Sequence, residues 1–127
     1  MDEMDMYAWL RMAEQDFNSA KHLMSLKPRP VEVICFLCQQ SVEKALKSIK
    51  VGRGDAIPRT YDLVALTQSM LDLSSLLKDL LPACIRLSNY AVTTRYPYAG
   101  ELPPGVEERA IGDAQKALEV VRVIVAT

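Results

Sequence analysis

The sequence predicts an all-α protein, and three features carry that prediction. Apolar residues recur at three- and four-residue steps over several long stretches, the period of a helix with one buried face. Prolines and glycines fall largely between those stretches, where they punctuate helices instead of breaking them. Nowhere do apolar and polar residues alternate over a useful length, as a half-buried strand would require. At 127 residues the chain is long enough to close one core, so a single domain over residues 1–127 is expected. A composition of 50% hydrophobic and 24% charged residues with 5 glycines suits a helical globule and excludes a disordered chain.

The elements follow in order. Met6, Trp9, Leu10, Ala13, Phe17, Ala20 and Met24 form one stripe on a first helix from about residue 4 to 26. Lys27-Pro28-Arg29-Pro30 stops it, because proline lacks an amide hydrogen and biases the residue before it away from helix. Pro30 then suits the first turn of a second helix, about 31 to 51, striped by Val31, Ile34, Cys35, Cys38, Val42, Ala45, Leu46 and Ile49. Val33, Phe36 and Leu37 add apolar surface around its first half, which is therefore expected to be buried on more than one side. A central place in the bundle explains that, and so does a homodimer interface.

Gly52 and Gly54 end the second helix. Both long helices would run about 30 Å at ~1.5 Å per residue, and the short link between them predicts antiparallel packing. Thr60 is the expected N-cap of a third, shorter helix, with Asp62 in its first turn and Leu63, Leu66, Met70 and Leu71 on its inner face, ending near Leu73. A fourth helix is expected from about 76 to 95, capped by Ser74 or Ser75, with a kink or a fresh start at Pro82. Pro97, Gly100, Pro103, Pro104 and Gly105 make a loop, and Val106, Ala110, Ala114, Ala117, Val121 and Ile124 mark a fifth helix to the end. The expected architecture is a five-helix, mostly antiparallel up-and-down bundle.

Charge and cysteine content narrow the function. A formal net charge of -1 argues against bulk nucleic-acid binding driven by whole-protein charge. The distribution is nevertheless uneven: Lys44, Lys47, Lys50, Arg53 and Arg59 face only Asp55, so one end of the second helix is expected to be electropositive. No apolar run reaches the roughly 18 residues of a membrane span, and the N-terminus is acidic where a signal peptide is basic, so no membrane association and a cytoplasmic location are expected. Cys35, Cys38 and Cys84 lie inside helical patterns with no second ligand pair, and read as small buried hydrophobes. Neither a metal nor a cofactor is implied, and Gly52-Arg53-Gly54 is too short for a phosphate loop.

Two clusters stand apart from the core pattern. Gln39, Gln40, Glu43, Lys44 and Lys47 lie on the second helix, with Gln40, Lys44 and Lys47 at i, i+4 and i+7 along one polar edge. An ordinary solvated face with a Glu43–Lys47 pair would look the same. The second cluster is Arg86, Asn89, Tyr90 and Thr93, followed by Arg95-Tyr96-Pro97-Tyr98. Arginine offers a planar fork for phosphate and tyrosine a ring to stack on a base, although an arginine and tyrosines also serve as a plain helix end. His22, on the first helix with no ligand partner at suitable spacing, reads as a partly exposed helical histidine.

The stretch Cys35-Phe36-Leu37-Cys38-Gln39-Gln40-Ser41-Val42-Glu43-Lys44-Ala45-Leu46-Lys47 resembles the second helix of prokaryotic HEPN domains, of the form C-F-x-x-Q-Q-x-x-E-K-A-L-K. Thr60-Tyr61-Asp62-Leu63 is similar to the family's T-H-D-L start of helix three, with Tyr61 in place of histidine. Asn89-Tyr90 through Thr94-Arg95-Tyr96-Pro97 is similar to its Y-x-x-x-R-Y-P end of helix four, and Trp9, Asp16 and Ala20 fit its first helix. The motifs occur in order over nearly the whole chain.

The resemblance implies an HEPN-like five-helix bundle, often a homodimer, often encoded beside a minimal nucleotidyltransferase in a toxin–antitoxin-like arrangement, with a groove for a nucleotide. Gln40, Glu43, Lys44, Lys47, Asn89, Tyr90, Arg95 and Tyr96 are the ligand-binding candidates: the two lysines and Arg95 on phosphate, Tyr90 or Tyr96 stacked on a base. HEPN ribonucleases carry an arginine followed four to six residues later by a histidine that acts in acid/base catalysis. Neither Arg86 nor Arg95 has that follower, because the chain's one histidine is His22. Three readings result: a nucleotide-binding accessory of a nucleotidyltransferase without catalytic residues, a dimeric interaction module, and, disfavoured, an RNA-cleaving toxin.

Overall fold

The computed structural model describes residues 3–57, 59, 60, 62–95 and 102–126, the side chains of residues 3, 4 and 91–95 excepted. The described residues fold as helices α1 (Glu3–Leu23), α2 (Val31–Gly52), α3 (Leu63–Gln68), α4 (Ser75–Lys78), α5 (Leu81–Arg95) and α6 (Val106–Ala126), with no strand among them. None of these helices is long and apolar enough to cross a membrane.

The long helices form where the periodicity places them. α1 buries Met6, Leu10, Ala13, Phe17 and Ala20 in one stripe. It stops three residues short of the expected end, because Met24, Ser25 and Leu26 each donate to the carbonyl three residues back and tighten the last turn. Arg29 in the link is tied at both ends: its Nε donates to the Met24 carbonyl at 2.8 Å, and its Nη1 meets Glu108 of α6 at 3.1 Å. At the other end of the hairpin α2 gives out at Gly52, where a Cβ would run into the Met6 thioether of α1. Gly54 follows at φ +77, a conformation that leaves glycine as the ready choice.

α2 is the axis of the bundle, packing against α1, α3, α5 and α6. The burial on several sides expected of its first half is in fact deepest in its second half: Ser41, Val42, Glu43, Ala45, Leu46, Lys47, Ser48 and Ile49 are all buried, whereas Val33 is 47% exposed. The central position accounts for this without a second subunit.

Local capping corrects the third helix. Asp62, not Thr60, is the N-cap of α3, its carboxylate accepting from the Ala65 amide at 3.1 Å, while the Thr60 hydroxyl accepts from the Asp62 amide at 3.0 Å. α3 ends at Gln68, and the chain reaches Leu73 through turns. The expected fourth helix is two helices. Ser74 caps the single turn α4, and α5 starts afresh at Leu81 with Pro82 in its first turn, where the missing amide hydrogen has no intrahelical partner to lose.

Side-chain contacts give the directions. The Leu63 amide donates to the Ser88 hydroxyl and the Thr67 hydroxyl meets the Cys84 thiol, so α3 runs opposite to α5. Arg86 meets Asp113, and Cys35 and Cys38 of α2 lie in the fields of Glu107 and Asp113 respectively, so α6 runs along α2 and against α5. Ile34, Leu46, Leu63, Leu66, Met70, Leu77, Leu80, Leu87 and Leu118 fill the space between them.

Candidate functional site

The polar residues of α2 form a connected ladder, not a solvated face. Gln40 Nε2 donates to Gln39 Oε1 at 2.8 Å, Gln39 Nε2 to Glu43 Oε1 at 3.4 Å, and Lys47 Nζ to Glu43 Oε2 at 3.2 Å. Gln39 is fully buried, and Glu43 and Lys47 are only 6% and 8% exposed. Four-residue steps on one helix bring 39, 43 and 47 side by side, so the ladder follows directly from the spacing. Gln40, half-buried, is its outermost rung.

Lys44 leaves this ladder for α1, where its ammonium pairs with Asp16 at 2.6 Å. Beside it the Ser41 hydroxyl donates to the Ala13 carbonyl at 2.7 Å, so the α1–α2 seam is stitched by polar contacts as well as apolar ones. These pairs reduce the expected electropositive end of α2. Lys44, Lys47 and Arg53 each face a carboxylate, on Asp16, Glu43 and Asp55 respectively, whereas Lys50 and Arg59 face none among the described residues.

The second cluster divides. Arg86 forks onto Asp113 of α6 through Nε at 2.9 Å and Nη2 at 2.7 Å, which raises its already high pKa further. Tyr90 is 8% exposed within the core; burial first, then the Asp113 charge, push its phenol up. A ring so enclosed offers no face to a base, so the stacking role assigned to Tyr90 or Tyr96 is open only to the latter. Asn89 is exposed. Arg95 is the last residue of α5 with its side chain outside the described set, and Tyr96, like Tyr61, lies outside the described residues.

The lysines and Arg95 do not share one level of the bundle. Tyr90 lies in the field of Cys35, and α5 runs opposite to α2, which sets Arg95 level with the beginning of α2. Lys44 is about 14 residues further along, ~20 Å at the helical rise, a longer gap than one phosphate group bridges. Lys44 and Lys47 are instead seen paired with Asp16 and Glu43, and the Arg95 side chain, the third member of the expected phosphate grip, lies outside the described residues.

The cysteines are packing residues. All are fully buried, and burial, followed by nearby negative charge, pushes the thiols of Cys35 and Cys38 up to about 12. The folded state keeps these protons above the ordinary value of 9.0 while the unfolded chain releases them, so they remove stability as pH climbs from 9.0 towards 12. The native protein is expected to resist alkylation at pH 8 and to react fully in denaturant, as a thiol titration would show. No three His, Cys, Asp or Glu side chains gather as a metal site among the described residues.

Asp113 and Arg109 were not singled out by sequence, although one signal was present. Asp113 interrupts the apolar stripe of α6 between Ala110 and Ala114, and a carboxylate at a core position needs a partner.

A family model described as HEPN domain matches residues 6–127. Among solved structures, ST0689, described as an archaeal HEPN homologue, has a TM-score of 0.74 and 24% identity over 94% of this chain and 97% of its own, a likeness of fold. The protein TT1696 from Thermus thermophilus has a TM-score of 0.68 and 28% identity over 95% of this chain and 93% of its own. No curated protein matches the chain.

Proposed function

The chain belongs to the HEPN domain family, and from that premise we propose that it is an accessory HEPN protein that binds a nucleotide and works beside a nucleotidyltransferase, without ribonuclease activity of its own. The observation that carries this reading is the Glu43–Lys47 pair, 6% and 8% exposed on the central helix and continuous with Gln39 and Gln40. Two packed apolar side chains would serve stability as well as or better than a buried ion pair, whose desolvation offsets its attraction. Its place on the helix that carries the family pattern points to recognition, with the amide of Gln40 as the reachable end. Absence of ribonuclease activity rests on His22, exposed on α1 and remote in sequence from every arginine of α5. In this reading Arg95 and Tyr96 keep their roles as phosphate fork and stacking ring.

A thermal-shift screen of nucleoside mono-, di- and triphosphates tests it. A ligand at 100 times its Kd stabilises by about 2.7 kcal/mol, so a clear rise in Tm is expected for wild type and a smaller one for Gln40→Ala and Arg95→Ala. No response to any nucleotide, or an equal response in both variants, sinks the proposal.

A second reading, the dimeric interaction module, draws on a different observation. Val33 is 47% exposed beside half-buried Phe36 and Leu37, an apolar strip on the outward side of α2. Light scattering decides it: a dimer that Val33→Asp converts to monomer favours this module.

A further inference from the structure

Two lysines of α2 carry the polar edge of that helix, and the structure gives them unequal partners. Lys47 is bound within the helix to Glu43, and both side chains are nearly closed to water. Withdrawing that ammonium would leave a buried carboxylate without its counter-charge, a change that desolvation makes costly. Lys44 instead pairs across the α1–α2 seam with Asp16 at 2.6 Å, and these side chains are 22% and 20% exposed, so water reaches either one when they part. Of the two, Lys44 is the lysine that can change partner without stranding a charge.

Position gives that exchange a purpose. Gln40, the reachable end of the α2 ladder, lies one turn before Lys44 on the same side of the helix. Ser41 donates to the Ala13 carbonyl at 2.7 Å and Gly52 lies against Met6, so α1 and α2 are antiparallel in a register that brings the turn of Asp16 level with Gln40 and Lys44. Gln40 and Lys44 thus border one stretch of the seam, and Asp16 is the carboxylate that α1 turns towards it. An anionic group reaching Gln40 finds the neighbouring ammonium already holding a carboxylate, one that the fold tethers beside it at high effective concentration.

Resting on the nucleotide-binding reading of the α2 ladder, we infer that Asp16 is an autoinhibitory counter-ion: it occupies Lys44 in the free protein, and an anionic group of a nucleotide held at Gln40 must displace it before Lys44 engages. Asp16 acts through Lys44 and does not touch the ligand, whose charge it repels. Such a competitor lowers the apparent affinity by the fraction of molecules in which Lys44 is free. Removing it therefore tightens binding, the opposite of what losing a supporting contact does.

Calorimetric titration of the full chain with ADP tests the contact in wild type, Asp16→Asn, Lys44→Gln and the double variant. Expected is a Kd about tenfold tighter in Asp16→Asn than in wild type. In the Lys44→Gln background the same change is expected to alter Kd by less than about twofold, because the competitor has nothing left to hold. Asp16→Ala repeats the test without an amide oxygen to accept from Lys44, and circular dichroism melts establish that each variant keeps the fold. Equal or weaker ADP binding by folded Asp16→Asn and Asp16→Ala, or an undiminished gain in the Lys44→Gln background, overturns the inference and leaves the α2 reading standing. No ADP binding by any of these proteins at about 10 mM overturns both.

Discussion

Lys47→Met is expected to lower the unfolding free energy by about 3 kcal/mol, whereas the double variant Glu43→Leu, Lys47→Met is expected to recover all of it or more. The single change leaves the Glu43 carboxylate 6% exposed without its ammonium, and Gln39, which donates to it at 3.4 Å, compensates only in part. The double change removes both charges and fills the space with carbon. For a chain of this size the single variant should melt roughly 10 °C lower, with the double variant at or above wild type, as scanning calorimetry would show. The same pair of proteins also bears on the proposed function. A double variant that is stable yet blind to every nucleotide would mark the ladder as a recognition device, whereas one less stable than Lys47→Met would make it a structural one.

Leu46→Ala should be comparably damaging for a purely apolar reason. Leu46 is fully buried on α2, the helix packed against four others, so truncation opens a cavity that no single neighbour can close. Substitutions of this kind cost about 2–5 kcal/mol, and a central position places this one in the upper half of that range. Val33→Ala, on the same helix but 47% exposed, is expected to change stability by no more than about 0.5 kcal/mol in the monomer. Denaturant unfolding of the two variants side by side checks the assignment of α2 as the axis. Equal effects would mean that the first half of the helix is as enclosed as the second.

Periodicity made α1, α2 and α6 legible, because each long stripe repeats its signal over several turns and the ends carry proline or glycine. The region from Thr60 to Leu81 was harder. Its helices are short, and their limits depend on which of two neighbouring side chains reaches an amide: Asp62 and not Thr60, Ser74 and not Ser75. Such choices turn on single hydrogen bonds of about 1 kcal/mol, below what spacing can resolve.

The candidate site was legible in the same uneven way. Spacing put Gln40, Lys44 and Lys47 along one edge of α2, whereas the ladder joins Gln39, Glu43 and Lys47 with Gln40 at its end, and Lys44 turns to Asp16. Partners supplied from elsewhere do not show: Asp16 lies 28 residues from Lys44, and Asp113 lies 27 from Arg86. The burial of Tyr90 belongs to the same class, since a tyrosine at a helix end reads equally as a stacking ring or as core.

By itself the sequence determined what is local: helical period, chain breaks, the polar character of one edge of α2 and the lack of a histidine after any late arginine. Only the tertiary structure decided which cations remain available, pairing Lys44 with Asp16 and locking Arg86 on Asp113 while leaving Arg109 open. The physical reason is that helix formation answers to neighbours three and four residues away, whereas the free charge of a site is whatever remains after helices distant in sequence have been packed together.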